Sequence, residues 1–523
     1  IAFVFSRKNV EACAHDITVP LNEFDSKVGY TVRNECEQII RKLPNYKEYL
    51  ELPEYNRLVS LLEKGIGIHH SGMIPILREI VELMISKRYI KLLFATESFA
   101  IGLDCPIKTA IFTSLTKFDG HTQRFLLAHE YTQMAGRAGR RGIDTVGHVV
   151  HCNNLFDTPM LSDYKLILGG KPQQLVSKYH ISYSLILNLI KNGQNKDFHL
   201  FSQKSMVQQE IVKSLSGTQL EMDETEQLIV EKEIFLQTSK TPRDVCETYI
   251  KTQDDMRSAT NKKRKQFERD IRNMEDEYKH IKCDASKIYY LLELKEKVDN
   301  LKNILTYTEA YVKKQTDGIC DIMCDNGFII RNPDDTFVLT LRGNIASNIA
   351  EIHPLILSEL MVKWNNFVNF SPIQLVGLFS CFTDIKVPDD TRLHIFNIPD
   401  LFLEAKIKSI SLQYDKYHDL EQDYQLNTGL NYNDPLIYDM IEFSMQWCEC
   451  NTESECKSFI QNDVYNKSIS IGDFTKAMLK IVTISKEFMN VCEQLNMVEL
   501  QHKLSQIEGL VLKYITTSQS LYV

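Results

Sequence analysis

Over the first 157 residues, short apolar runs alternate with amphipathic stretches. Residues 2–5, 66–69, 91–95, 110–114 and 147–152 read as strands, and 75–86 and 125–135 as helices between them. Strands that are apolar along their whole length are buried on both faces. Their alternation with helices predicts a parallel sheet covered on both sides. From 158 to 204 the pattern is helical, and the stretch 179–190 is rich in Ile, Leu and Tyr, as in a small accessory domain. From 205 to 316 charge is dense and Gly nearly absent. There Leu291, Leu294, Val298, Leu301 and Leu305 step by three and four residues, the seam of an antiparallel helical stalk. Residues 328–331 and 336–341 flank Asn332-Pro333-Asp334-Asp335, a β-hairpin signal. From 344 to 523 the helical pattern continues and predicts a compact bundle. The expected fold is multidomain, α/β plus all-α. Its expected parts are a sheet domain (1–157), a small helical domain (158–204), a stalk (205–316), and a hairpin with a helical bundle (317–523).

Composition narrows this picture. A chain of 523 residues holds about three or four domains. With 43% hydrophobic and 25% charged residues it is core-forming and globular. The net charge of -9 means that any nucleic-acid contact has to come from a local basic surface. One basic cluster, Lys262-Lys263-Arg264-Lys265, lies within the stalk, where it reads as a solvated face or as an RNA or protein contact at the tip. Thirteen Cys, an odd number without a framework, and the lack of a secretory leader point to reduced thiols and an intracellular setting, cytoplasmic or nuclear. Cys320 and Cys324, and Cys448, Cys450 and Cys456, have no His nearby and fit no common zinc spacing, so no metal site is expected. No apolar run approaches the roughly 20 residues that span a bilayer, so no membrane partner is expected. The chain opens at Ile1 inside an apolar strand rather than at Met, which reads as part of a longer polypeptide.

The densest chemistry is Gln133-Met134-Ala135-Gly136-Arg137-Ala138-Gly139-Arg140-Arg141-Gly142. Two Arg three residues apart beside Gly can bring planar guanidinium forks close to a phosphate, and such Arg stabilise the charge of phosphoryl transfer. A solvated Arg-rich turn is the plainer reading. Upstream, Leu92-Leu93-Phe94-Ala95-Thr96-Glu97 reads as a strand ending in Thr, followed by a loop with Gly102, Asp104 and Pro106. A Thr hydroxyl beyond a strand end suits a phosphate, and a loop carboxylate suits a ribose hydroxyl. An N-cap for Thr96 and a turn cap for Asp104 are the plainer alternatives.

Together these segments resemble motifs V and VI of superfamily-two helicases. Ala2-Phe3-Val4-Phe5-Ser6-Arg7-Lys8 resembles motif IV. His69-His70-Ser71-Gly72-Met73-Ile74-Pro75 and Lys117-Phe118-Asp119-Gly120 resemble markers of the superkiller-type and archaeal repair-type branch. Ser177-Lys178-Tyr179-His180-Ile181-Ser182-Tyr183 is similar to the winged-helix segment of exosome-assisting DExH-box RNA helicases. The bundle and its closing Tyr514-Ile515-Thr516-Thr517-Ser518-Gln519-Ser520-Leu521-Tyr522-Val523 are similar to their DSHCT domain. The stalk agrees in position only. It is short for the family's arch, whose tip carries a small β-domain that has no clear room here.

The resemblance implies a second RecA-like domain, a winged-helix domain, a helical stalk and a DSHCT bundle. It also implies roles. Arg137 and Arg140 would reach the γ-phosphate of ATP, with Arg140 as the finger and Gln133 beside the nucleotide. Gly102 and Asp104 would hold the nucleotide and its ribose. Thr96, His70, Gly72 and Arg78 would approach the RNA backbone, although His70 also reads as a hydrogen-bonded capping residue. Between motifs V and VI the family has a strand-separating hairpin, here about 115–128, with Phe118 and Phe125 as wedge candidates or as sheet-edge packing. Ser470-Ile471-Gly472-Asp473 reads as a capping box opening a helix on which Lys476 and Lys480 share a face. That helix resembles the family's ratchet helix along RNA; a solvated face is the plainer reading.

The sequence contains no Gly-x-x-x-x-Gly-Lys-Ser/Thr and no Asp-Glu-x-His, the pieces that cradle ATP and hold Mg²⁺. The expectation is therefore the C-terminal part of an ATP-dependent 3′–5′ RNA helicase, inactive by itself. Its substrate would be RNA with a single-stranded 3′ tail, and its partner an exosome-like RNA decay complex. ATP and Mg²⁺ would be held mainly by a first RecA-like domain. The alternatives are a non-catalytic RNA-binding or assembly module and a DNA helicase of the archaeal repair type.

Overall fold

A computed structural model describes residues 1–523 except 24–26, 101–106, 121, 140–143, 171–179, 197, 203, 237–238, 260, 386, 388–391, 394–397 and 523. The chain forms two compact units. One comprises Ile1–Leu175, Leu341–Asp419 and Leu430–Val523, the other Val176–Thr340 and Leu420–Gly429.

The first unit opens with a five-stranded sheet of β1 (Ala2–Phe3), β2 (Ile66–His69), β3 (Leu92–Ala95), β4 (Thr109–Phe112) and β7 (His148–His151), in the order β2-β3-β1-β4-β7. Every pairing is parallel, so the crossovers must be long, and helices fill those from β1 to β2, from β2 to β3 and from β4 to β7. Helix α1 (Arg7–Asp16) is capped by Ser6, whose hydroxyl accepts from Asn9 N. Helix α2 (Pro75–Ser86) begins with Pro at its first turn and buries Ile76, Leu77, Ile80, Val81, Met84 and Ile85. Between β4 and α3 (Ala128–Ala135) stands an antiparallel hairpin, β5 (Thr116–Phe118) with β6 (Gln123–Phe125).

Strand β7 departs from the expected burial on both faces. It is the sheet's edge, and Val149 and Val150 stand 41% and 44% exposed. A strand that pairs on one side only can be apolar without being covered, and sequence alone does not distinguish the two.

The second unit starts, among its described residues, with α4 (Tyr183–Lys191), capped by Ser182. Part of the segment 177–183 singled out above lies outside the described residues. The unit continues with α5 (Met206–Leu236), α6 (Arg243–Ser258), α7 (Asn261–Glu277) and the 45-residue α8 (Ile281–Asp325). Helices α5 and α8 run antiparallel, as the ion pairs Glu233–Lys295 and Glu226–Lys302 show. Leu291, Leu294, Val298 and Leu301 are buried along this seam. The far end is a helical hairpin: Cys246, Tyr249 and Ile250 of α6 and Ile271 of α7 share a small core with Ile281, Ala285 and Ile288 of α8. The basic cluster 262–265 opens α7. After α8 come β8 (Ile329–Arg331) and β9 (Phe337–Leu339), an antiparallel hairpin that packs on α4. Phe337 N donates to Asn195 O at 3.0 Å, and the Phe198 and Phe337 rings lie 5.6 Å apart.

The first unit resumes as helices, including α9 (Pro354–Lys363), α10 (Pro372–Ser380), α11 (Asp439–Glu449) and α12 (Ile471–Leu495). Their core is aromatic. Phe379 stacks on Phe488 at 5.4 Å, and Trp447 meets Phe474 edge-on at 5.4 Å while donating to Val511 O at 2.9 Å. Among the described residues no helix is long and apolar enough to cross a membrane.

Candidate RNA and nucleotide site

In a parallel sheet the chain leaves every strand on the same side, and ligand groups collect there. Thr96 follows β3, and its N–H donates to His69 O at the end of neighbouring β2 at 3.1 Å. Its hydroxyl faces that of Ser98 at 2.9 Å. His70 is buried; its Nδ1 accepts from Gly72 N at 3.2 Å, and its Nε2 lies 3.2 Å from Glu11. The hydrogen bond from His70 holds the Glu11 carboxyl below its usual range in spite of burial. The ring thus shapes the turn that presents Ser71 and Gly72. Arg78 sits on the first turns of α2, half-buried, with Nε 4.0 Å from Glu82. The strand ends therefore bring Thr96, His70 and Gly72 together, with Arg7 after β1 on the same side.

The β5–β6 hairpin leaves β4 on that side as well. Its register pairs Thr116 with Phe125 and Phe118 with Gln123. Alternation then puts Phe118 and Phe125 on one face, where they are 62% and 40% exposed, and Lys117 and Arg124 on the other. The cationic face is clamped by Glu130 of α3. Arg124 donates to both its oxygens at 2.9 and 2.8 Å, Lys117 lies 2.8 Å away, and Leu127 N donates at 2.9 Å. Burial pushes the Glu130 carboxyl up. The donors Arg124, Lys117 and Leu127 N outweigh it and hold it down at about 2. Neither the shared face of the two Phe nor Glu130 as the clamp was legible from spacing, because both depend on strand register.

Gln133 lies on helix α3 and Arg137 just after it. Helix α3 carries the chain back towards the start of β7, leaving Gln133 exposed and Arg137 half-buried. The turn after Arg137 needs glycine. Gly139 has φ +81, its N–H donates to Ile107 O at 2.9 Å, and a Cβ there would stand 3.1 Å from Gly147 Cα. Gly102, Asp104 and Arg140 lie outside the described residues.

In the bundle, α12 presents one polar stripe with Lys476 and Lys480 on it, and buries Phe474, Met478, Ile481, Ile484 and Phe488. Both Lys already have partners. Lys476 Nζ donates to Ser71 O at 2.8 Å and lies 3.2 Å from Asp473, while Lys480 pairs with Glu351.

Residues 336–518 match the model of the DSHCT (NUC185) domain. Antiviral helicase SKI2 of Saccharomyces cerevisiae is 41% identical over 192 residues, 36% of this chain and 14% of that protein. The ATP-dependent RNA helicase mtr4 of Schizosaccharomyces pombe is 40% identical over 204 residues, 38% of this chain and 18% of its own length. Superkiller complex protein 2 of Mus musculus is 47% identical over 142 residues, 27% of this chain and 11% of that protein. The aligned part of the chain thus spans less than a fifth of each of these relatives. The parallel sheet, the motif segments and the DSHCT match are features that this chain shares with superfamily-two RNA helicases. The DSHCT match and these relatives support a likeness of this chain to the C-terminal region of superkiller-type helicases.

Proposed function

We propose that the chain is the C-terminal part of an ATP-dependent 3′–5′ RNA helicase that unwinds RNA and feeds it to processing or decay. Its sheet domain acts as the second RecA-like domain. The hairpin β5–β6 separates strands, with Phe118 and Phe125 stacking on the unpaired base. The single observation that carries this reading is their position together, exposed on one face of a clamped hairpin, beside the Thr96 turn. Thr96 and Gly72 would meet the RNA backbone directly, with His70 shaping their turn. Arg78, Lys476 and Lys480 add a positive border. The helix α4 with the β8–β9 hairpin supports a winged-helix-like reading in which the stalk is an insertion. An exosome-like decay complex is the partner class this implies, in an intracellular compartment.

Arg137 and Arg140, with Gln133, would complete an ATP site whose phosphate cradle and Mg²⁺ ligands come from a first RecA-like domain; Gly102 and Asp104 would hold the nucleotide. ATP supplies the energy of translocation there, and Mg²⁺ neutralises its phosphates. By itself this 523-residue chain should show negligible ATP turnover. The product of the full-length gene should hydrolyse ATP on RNA and unwind 3′-tailed RNA in preference to DNA. Arg140→Ala should lower its turnover by about 10³-fold, the effect of losing an arginine finger. Turnover near wild type, or equal unwinding of DNA, would sink the reading.

A further inference from the structure

Three segments remote in sequence meet where the sheet domain touches the bundle, within the first unit. Ser470 caps α12 by accepting from Asp473 N at 3.2 Å. Two residues on, Gly472 N donates to Gly72 O at 3.2 Å. A Cβ on Gly472 would stand 2.4 Å from Met73 O and 2.6 Å from Gly72 O. Both are backbone atoms that cannot swing aside, so only glycine permits this approach. Opposite, a Cβ on Gly72 would meet Ser470 Oγ at 3.1 Å and Arg7 Cδ at 3.3 Å. Charges fasten the contact. The Asp473 carboxylate takes Arg7, from the start of α1, and Lys476, which also holds Ser71 O. Burial pushes the Asp473 carboxyl up, but Ser470, Arg7 and Lys476 outweigh it and keep it below its usual range. Exposed ion pairs of this kind hold little by themselves. Stiffness comes from two backbones in direct contact, with no long side chain between them to reorient.

The contact continues into the sheet. His70 Nδ1 fixes Gly72 N, and His69 O accepts from Thr96 N. We infer that Gly72, Gly472, Arg7 and Asp473 form a positioning joint that makes α12 move as one body with the Thr96 turn. On the reading above, on which this rests, a shift of the sheet domain during ATP turnover then carries α12 along the RNA instead of being lost in a sliding interface. Lys476 serves the same joint on its inner side, while its outer side remains half-exposed.

The test compares RNA-stimulated ATP turnover with unwinding of 3′-tailed RNA in the full-length gene product. Gly472→Ala should lower unwinding at least tenfold while ATP turnover and the RNA concentration for half-stimulation stay within about threefold. Asp473→Asn should shift the same ratio by about threefold, and Asp473→Glu should restore it. Turnover and unwinding falling together, or an unchanged ratio in both variants, would overturn the joint. A readout without activity is amide hydrogen exchange on the 523-residue chain. Asp473→Asn should speed exchange at Gly472 and Thr96, and unchanged exchange there counts against the proposal. If the wild-type product neither hydrolyses ATP on RNA nor unwinds it, the helicase reading fails, while the exchange experiment still decides the joint.

Discussion

His353, in the bundle, is enclosed by the rings of Tyr414, Tyr417 and Tyr432 at 5.6, 5.3 and 5.8 Å, with Nε2 3.1 Å from the Tyr432 hydroxyl. Burial disfavours its charged form and lowers its pKa from 6.5 to about 3. Because the folded value lies below the unfolded one, the contribution to stability is complete above pH 6.5. It is lost as pH falls towards 3, at up to about 1.4 kcal/mol per unit. Only two Trp occur in the chain, Trp364 and Trp447, both in the bundle, so Trp fluorescence reports its unfolding. Between pH 7 and 5 the wild type should lose about 2 kcal/mol more than His353→Gln, whose side chain cannot take up the proton. Equal losses in urea titrations would refute this. Glu130 behaves oppositely. Its depressed value keeps the hairpin clamp ionised down to about pH 2, so mild acid weakens the bundle before it releases the hairpin.

At the scale of elements, the β5–β6 hairpin offers a clean separation of roles. Its aromatic face makes no use of the Glu130 clamp, so the two faces can be altered independently. Phe118→Ala with Phe125→Ala should leave RNA-stimulated ATP turnover within about twofold and lower duplex unwinding at least tenfold, with single-strand affinity falling by about 1–3 kcal/mol per stacked base at most. Unwinding at the wild-type rate would return both Phe to sheet-edge packing. The elements themselves were largely legible. Parallel strands buried on both faces show as unbroken apolar runs, hence the agreement of 66–69 with β2 (Ile66–His69), and Pro75 marks the start of α2. The Asn332–Asp335 turn betrayed β8–β9 in the same way, with Asp335 at φ 64. Hidden from sequence was its packing partner, because α4 precedes the hairpin by the whole stalk.

Contacts across hundreds of residues lie beyond any local pattern. Lys476 and Ser71 are 405 positions apart, and Arg7 and Asp473 466, so a sequence reading gives Lys476 only its own helix face. The C-terminal segment makes a second set of such contacts within the first unit. Asn45 donates to Tyr514 O at 2.8 Å, and the Tyr49 hydroxyl lies 3.3 Å from that of Thr517. Further on, Ser520 Oγ donates to Glu79 at 3.0 Å, and Tyr522 OH to Glu82 at 2.9 Å. Glu82 in turn lies 3.0 Å from His69 Nε2, whose ring meets Phe99 edge-on at 4.9 Å. The last residues thus brace α2 and the end of β2 from the side opposite their apolar core. Removing residues 520–523 would leave Glu79 and Glu82 to water rather than buried and unpaired, so the cost should be modest, about 1–2 kcal/mol for the hydrogen bonds lost. A melting temperature lower by a few degrees is expected, with faster amide exchange at His69 and Thr96 and an unaltered Trp signal. A melting temperature and exchange pattern equal to wild type would show that the terminal segment merely rests on the surface; a collapse of the Trp signal would show that it holds the bundle core instead.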